Sequence, residues 1–282
     1  MQVFDRIINM KKYVAGQKKL GKTIGFVPTM GFLHEGHTSL IKKSASENDI
    51  TIISIFVNPT QFGVNEDFSS YPRNFERDYE LAELSGAVAL FYPEAKEMYP
   101  DNFSTYINVE KVTEGLCGAS RPTHFRGVTT VVLKLFNIVS PHRAYFGQKD
   151  AQQLAVIKRM TADLNLDISI IGCPIIREES GLAKSSRNVY LTEEEKLQAV
   201  ALFNSLNFAK ECIEQGEKNA IMLKKDILKQ IESGAPLASV DYVEIVDADN
   251  MTELAYIEGK VLIALAVRFP SARLIDNIII TV

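Results

Sequence analysis

Two of the chain's four histidines, His34 and His37, stand three residues apart in Pro28-Thr29-Met30-Gly31-Phe32-Leu33-His34-Glu35-Gly36-His37. An apolar run, Thr23 to Val27, precedes this segment and reads as a buried strand. Thr38-Ser39-Leu40-Ile41-Lys42-Lys43 follows and reads as the first turns of a helix. A strand that turns through glycines into a helix leaves backbone N–H groups free beside a positive dipole end, a setting that favours phosphate. Imidazoles there can donate hydrogen bonds to charge that develops on a phosphate during reaction, and this spacing puts both rings near one helix face. Two capping or surface histidines are the plainer alternative. An HxxH metal pair needs further ligands, and no other His or Cys lies close in sequence.

Four more segments combine polar groups with turn residues. Asn58-Pro59-Thr60-Gln61-Phe62-Gly63 follows a long apolar run; its amides can grip a carboxylate or hydroxyl, although a plain turn has the same composition. In Gly147-Gln148-Lys149-Asp150, with Gln152 and Gln153 beyond, Lys149 can neutralise phosphate, while Asp150 suits either a helix cap or a ribose hydroxyl. Gly181-Leu182-Ala183-Lys184-Ser185-Ser186-Arg187-Asn188 mixes two cations with hydroxyls, as a cover over phosphates or a solvated linker would. Arg121-Pro122-Thr123-His124-Phe125-Arg126-Gly127 is basic and precedes a helix, a candidate for anion contact or a surface loop.

The elements that must hold these residues alternate in type. Asp49 to Val57 is a continuous β-branched run of the kind found in parallel strands covered on both faces. Helical stretches are expected at about Gly36–Glu47, Phe75–Ser85, Gly127–Val139 and Asp150–Asp163, with strands at Ala87–Tyr92, Arg143–Gly147 and Asp167–Cys173. This alternation predicts an α/β fold, a Rossmann-like doubly wound parallel sheet, with ligands beyond the C-terminal strand ends. The remainder has two helices, Thr192–Gln215 and Glu217–Ser233, then strands at Asp241–Val246, Lys260–Val267 and the C-terminus. A boundary near residue 175 separates domain 1–175 from a smaller α+β domain, 176–282.

The 282 residues carry a formal net charge of -4, which disfavours a generic nucleic-acid binder. Cys117, Cys173 and Cys212 are far apart and are expected as reduced thiols of a cytoplasmic protein. The first residues lack the shape of a signal peptide, and no apolar stretch approaches a membrane span.

No Walker A sequence is present, and no GxGxxG follows the first strand. The His-x-x-His segment with the later Lys-Ser-Ser-Arg loop resembles the HIGH and KMSKS pair of the nucleotidyltransferase superfamily. The likeness then narrows. Pro28-Thr29-Met30-Gly31 with His34–His37, Phe56-Val57-Asn58-Pro59-Thr60-Gln61-Phe62, Asp67 with Tyr71-Pro72-Arg73, Tyr145–Asp150, Ser185-Ser186-Arg187-Asn188 and the closing Ala272-Arg273-Leu274-Ile275-Asp276-Asn277 together resemble the pantoate–β-alanine ligase family. The likeness covers essentially the whole chain. Lys184 is a departure, since many members carry Met or Leu there, and Gln148 sits where the family varies.

The resemblance implies ATP-dependent condensation of (R)-pantoate with β-alanine to pantothenate, AMP and diphosphate through pantoyl adenylate. It implies catalytic roles for His37, His34, Lys149 and Arg187. ATP contacts are implied at Met30, Gly31, Phe32, Leu33, His34, Glu35, Gly36, His37, Gly147, Gln148, Lys149, Asp150, Ile176, Lys184, Ser185, Ser186 and Arg187. Gln61 and Gln153 are implied for pantoate, with Gln61 also bordering β-alanine; Asn58, Arg121 and His124 are secondary candidates. Mg2+ is implied on the phosphates, with unnamed protein ligands among which Asp78 is one guess. A cytoplasmic homodimer, a catalytic N-terminal domain and a C-terminal lid carrying the KMSKS-like loop complete the expectation. Two rivals are a nucleotidyltransferase acting on a phosphorylated metabolite and a non-catalytic nucleotide- or tRNA-binding module.

Overall fold

The computed structural model describes residues 1–63, 66 and 68–282; Asp67, one of the residues carrying the resemblance, lies outside them. In chain order the first elements are β1 (Gln2–Phe4), α1 (Ile7–Lys19), β2 (Ile24–Thr29), α2 (Glu35–Glu47), β3 (Ile50–Ile55), a 3-10 turn (Pro59–Gln61), α3 (Phe75–Leu84), β4 (Ala89–Phe91), α4 (Ala95–Met98), α5 (Leu116–Ser120), α6 (His124–Val139), β5 (Arg143–Gly147), α7 (Ala151–Asp163) and β6 (Ser169–Cys173). Then follow a 3-10 turn (Ser186–Tyr190), α8 (Glu193–Glu214), α9 (Ala220–Gly234), β7 (Ser239–Asp247), β8 (Lys260–Arg268) and β9 (Arg273–Thr281). β1 and α1 were not among the expected elements.

The chain divides into two compact units: residues 1–110, 120–148 and 156–174, and residues 111–119, 149–155 and 175–282. Segments 111–119 and 149–155, inside the sequence-derived domain 1–175, group with the second unit.

In the first unit six parallel strands run in the order β1-β4-β3-β2-β5-β6. From β2 the chain winds outward to β3 and β4 on one side and β5 and β6 on the other, so the order reverses between β2 and β5. That switch point opens a crevice at the C-terminal strand ends. β3 is buried along its whole length, the burial that β-branched parallel strands serve. Gly25 is needed in β2 because a Cβ there would collide with Ser44 of α2 and with Asn48, which caps its C-terminus. Its absence lets α2 lie close against the sheet. Tyr145 of β5 ties down the far end of α2: its hydroxyl donates to Glu47 Oε2 at 2.8 Å and accepts from Asn48 Nδ2 at 2.7 Å. Burial, then the Glu47 carboxylate, pushes the Tyr145 phenol up to about 12. Val27, Leu33, Leu40, Ile41, Ile53 and Leu90 belong to the core on this face.

The second unit packs α8 and α9 with an antiparallel sheet, order β7-β8-β9. Central β8 is buried from Val261 to Val267. Leu202 and Leu206 of α8 and Leu223 and Ile227 of α9 share its core. A capping box starts α8: Glu195 N–H donates to Thr192 Oγ1 at 3.2 Å and Thr192 N–H to Glu195 Oε2 at 2.8 Å. Among the described residues no helix is long and apolar enough to cross a membrane.

Candidate active site

At the end of β2 the chain turns through Gly31 and Phe32, both with positive φ, into α2. His34 caps that helix. Its Nδ1 accepts from Gly36 N–H at 3.1 Å, and His37 Nδ1 accepts from His34 N–H at 3.3 Å. An imidazole nitrogen that accepts a hydrogen bond carries no proton, so each neutral ring keeps its proton on Nε2. The rings lie 4.1 Å apart, tilted by 46°. The site thus holds two adjacent Nε2–H donors of fixed tautomer.

The backbone corrects one expectation. The sequence predicts a cluster of free N–H groups at this turn, but Phe32 and Leu33 donate to the carboxylate of Asp78 at 2.6 and 2.7 Å. Gly31 N–H donates to Thr29 Oγ1 at 3.2 Å, and the N–H groups of His37 and Thr38 donate to His34 O. The turn's backbone is therefore not a bare N–H nest, and the two imidazoles are its side-chain polar groups. Asp78, guessed as a metal ligand, is an acceptor for backbone instead. Burial raises its carboxyl above the ordinary range, against the pull of the two N–H bonds and Arg77.

Gln61 sits in the 3-10 turn after β3, where a local network orients it. Asn58 Nδ2 donates to the carbonyl of Gly127 at 3.1 Å. A carbonyl only accepts, so this bond fixes which way the Asn58 amide points. Asn58 Oδ1 then accepts from the hydroxyls of Tyr99 at 2.9 Å and Thr60 at 3.0 Å. Asn58 Nδ2 also donates to Gln61 Oε1 at 3.1 Å. Gln61 must therefore turn its NH2 away from Asn58, and Nε2 approaches Met30 Sδ at 2.9 Å. The structure brings Met30 and Gln61 together. Arg121 and His124 converge on the same turn: Arg121 Nη2 donates to Gln61 O at 3.3 Å, and His124 Nδ1 lies 3.0 Å from it. Arg121 also grips Glu66, its Nε 2.6 Å from Oε1 and its Nη2 bonded to Oε2. Burial opposes ionisation of Glu66, but Arg121 outweighs it and holds the carboxyl below its usual range. Gly147 is the last residue of β5 and Gln148 follows it, on the other side of the switch point. The fourth histidine is structural, His142 Nδ1 accepting from Ile24 N–H at 2.9 Å.

The second unit holds the remaining candidates. Asn277 Nδ2 donates to Lys149 O at 2.8 Å, anchoring the backbone at Lys149, and Asp150 is exposed just ahead of α7. Gln153 is half-buried on α7. Lys184 N–H donates to Ile176 O at 2.9 Å, which pairs these two positions. Ser185 caps the 3-10 turn by accepting from Arg187 N–H at 3.3 Å. Asn188, buried, donates to Glu178 Oε1 at 3.2 Å and Ala183 O at 3.1 Å and holds the loop's shape. Lys184, Ser185 and Arg187 are half-buried, and Ser186 is buried. All three cysteines are free thiols. Among the described residues no group of three or more His, Cys, Asp and Glu side chains could hold a metal.

Asp78 and Glu66 were not legible in the sequence in these roles. The one signal was an acid in the first turn of α3, which names no partner.

The first unit is thus a doubly wound parallel sheet with paired imidazoles and an oriented amide at its strand ends, and a small antiparallel α+β unit follows it in sequence. A model of the family described as "Pantoate-beta-alanine ligase" matches residues 2–279. The pantothenate synthetase of Acetivibrio thermocellus is 58% identical over 282 residues, all of both chains. The crystal structure of pantothenate synthetase from Thermus thermophilus has a TM-score of 0.93 at 40% identity, covering 99% of each chain. That of the ligase from Francisella tularensis, "Complexed with Beta-gamma ATP and Beta-alanine", has a TM-score of 0.80 at 36% identity, covering 99% of this chain and 97% of that one. The chain belongs to the pantoate–β-alanine ligase family, enzymes of pantothenate biosynthesis.

Proposed function

We propose that the chain joins (R)-pantoate to β-alanine through an acyl adenylate. A pantoate carboxylate oxygen attacks the α-phosphorus of ATP, and the bond to diphosphate breaks. The β-alanine nitrogen then attacks the acyl carbon, AMP leaves with the C–O bond electrons, and the nitrogen loses a proton. A carboxylate is a poor acylating agent; AMP provides the leaving group. The protein's part is positioning and charge stabilisation.

The observation that carries this reading is the pair of Nε2–H donors on His34 and His37. They meet charge that develops on phosphate oxygens, and His37 is the proton donor. Lys149, Lys184, Ser185, Ser186 and Arg187 hold phosphates, and the segment from Met30 to His37 lines ATP with its imidazoles giving the hydrogen bonds, since its N–H groups from Gly31 to Leu33 are already bonded within the protein. Gly147, Gln148, Asp150 and Ile176 face adenosine. The NH2 of Gln61 suits the hydroxyl and carboxylate oxygens of pantoate, with Gln153 as its second grip, and Gln61 borders β-alanine. Magnesium enters as the ion carried on ATP. It takes most of its ligands from phosphate and water. When bound it neutralises phosphate charge. The first unit acts as the ATP- and pantoate-binding catalytic domain, and the second carries the loop at Lys184. A cytoplasmic homodimer is part of the same proposal, and sedimentation velocity tests the dimer.

The experiment is AMP and diphosphate release with pantoate and β-alanine each omitted in turn. Diphosphate release that needs pantoate, and AMP turnover that needs both, supports the ligase. Release that needs neither overturns it.

A further inference from the structure

We infer that Asp78 is a positioning residue for adenylate formation: it clamps the turn Gly31–Leu33 and thereby sets the attitude of His34 and His37. This rests on the reading of those histidines as phosphate donors. None of the motifs that carry the family likeness includes Asp78.

Two consecutive left-handed residues make the turn, Gly31 at φ 86° and Phe32 at φ 49°. Gly31 tolerates this, but a phenylalanine in that region is strained and persists only where its surroundings hold it. The holder comes from α3, 46 residues further along. Asn74 caps that helix by accepting from Arg77 N–H at 3.1 Å, which fixes its first turn. From that turn the carboxylate of Asp78, 1% exposed, accepts Phe32 N–H at 2.6 Å and Leu33 N–H at 2.7 Å. Ionised acceptors make the stronger hydrogen bonds. A Cβ on Gly31 would lie 3.0 Å from Asp78 Oδ2, so the carboxylate packs directly beneath the turn. Arg77 covers the outer side, its guanidinium 5.2 Å from the Phe32 ring centroid. His34 follows Leu33 directly, so a shift of the turn is a shift of the N-cap and of the ring that His37 meets.

Burying a carboxylate opposes stability unless its acceptors are filled. Asp78 fills them with the two N–H groups that define the strained turn. An amide in its place has one acceptor where two are needed and sets NH2 against an N–H.

The test is Asp78→Asn in the full-length chain. The expected result is a 10- to 100-fold fall in kcat for pantoate-dependent diphosphate release, with KM for β-alanine unchanged. The 15N signals of the His34 and His37 ring nitrogens should shift in the ligand-free variant. Adding Phe32→Gly removes the left-handed strain and should recover about fivefold or more of the lost kcat, which a residue that only fills space would not allow. Where Asp78→Asn does not fold, Arg77→Ala replaces it, with an expected two- to fivefold fall in kcat and the same ring shifts. A folded variant with unchanged kcat and unchanged ring signals overturns the clamp. Ring shifts without any pantoate-dependent diphosphate release in the wild type would sink the functional reading and leave the clamp standing.

Discussion

Gly127→Ala puts a single methyl group behind Gln61 while leaving every residue proposed to meet substrate unsubstituted. Gly127 lies in the first turns of α6, and a Cβ there would stand 2.6 Å from both N and Cα of Gln61, and nearer still to Thr60 O. Carbon atoms settle at about 3.5 Å or more, so the 3-10 turn must retreat by roughly 0.9 Å. The neighbouring atoms are backbone, and Asn58 Nδ2 is bonded to the Gly127 carbonyl itself, so no flexible side chain can absorb the strain. Overpacking costs about 1–3 kcal/mol, and replacing glycine inside a helix returns about 0.8–1 kcal/mol. The net loss of stability should be near 1 kcal/mol, a small change in urea midpoint. The activity should suffer far more. A displacement near 1 Å at a substrate-positioning group costs about 100-fold, and this one also strains the network that orients the Gln61 amide. The assay is steady-state diphosphate release: kcat/KM for pantoate should fall about 100-fold while KM for ATP moves less than about threefold. Gly16→Ala is the control, since nothing lies within 4 Å of a Cβ there in α1; it should stabilise by about 0.5–1 kcal/mol without changing activity. Wild-type kcat/KM for pantoate in Gly127→Ala, or an equal loss for both substrates, would refute the claim that this contact sets Gln61.

The tautomer assignment predicts that His37→Gln, whose amide N reaches the former Nε2 position, keeps at least tenfold more adenylate formation than His37→Asn. The asparagine variant should lose about 10²–10³, and single-turnover AMP formation near the wild-type rate in a folded Asn variant would remove His37 from the mechanism. Lys184→Met keeps the backbone bond to Ile176 O and should raise KM for ATP less than about tenfold. A loss beyond about 100-fold, roughly 2.7 kcal/mol, would mean a larger role for this cation. Glu195 is held below the ordinary carboxylate range by Thr192 N–H, with Ser271 N–H adding to it. Its stabilisation is present above the unfolded value near about 4.3 and is lost as pH falls through the lower folded value. Glu195→Gln should be less stable than wild type in urea at pH 7, and the gap should close below about pH 4; a gap unchanged in acid contradicts the sign.

Much of the first unit was legible because its signals are local. The β-branched run from Asp49 to Val57 marks a strand covered on both faces, and β3 is buried throughout. The Gly31 turn and the histidine spacing mark a strand that becomes a helix. β1 is three residues long and was not read; its pairing with β4 joins residues some 87 positions apart, Gln2 with Ala89. Segments 111–119 and 149–155 could not be assigned to the second unit by pattern, because their partners lie far along the chain. Asn277 Nδ2, for example, donates to Lys149 O at 2.8 Å, and Cys117 Sγ lies 3.2 Å from the Tyr242 hydroxyl.

The sequence by itself determined which residue types stand at the strand ends, and through their combined motifs the family. Tertiary structure decided what those residues have left to offer. It spent the N–H groups of Phe32 and Leu33 on Asp78 and closed Glu66 onto Arg121. It turned the oxygen of Gln61 inward toward Asn58, whose own amide is set by the Gly127 carbonyl. Periodicity and propensity act over a few residues, whereas each of these arrangements depends on elements that only the folded chain brings within about 3 Å of one another.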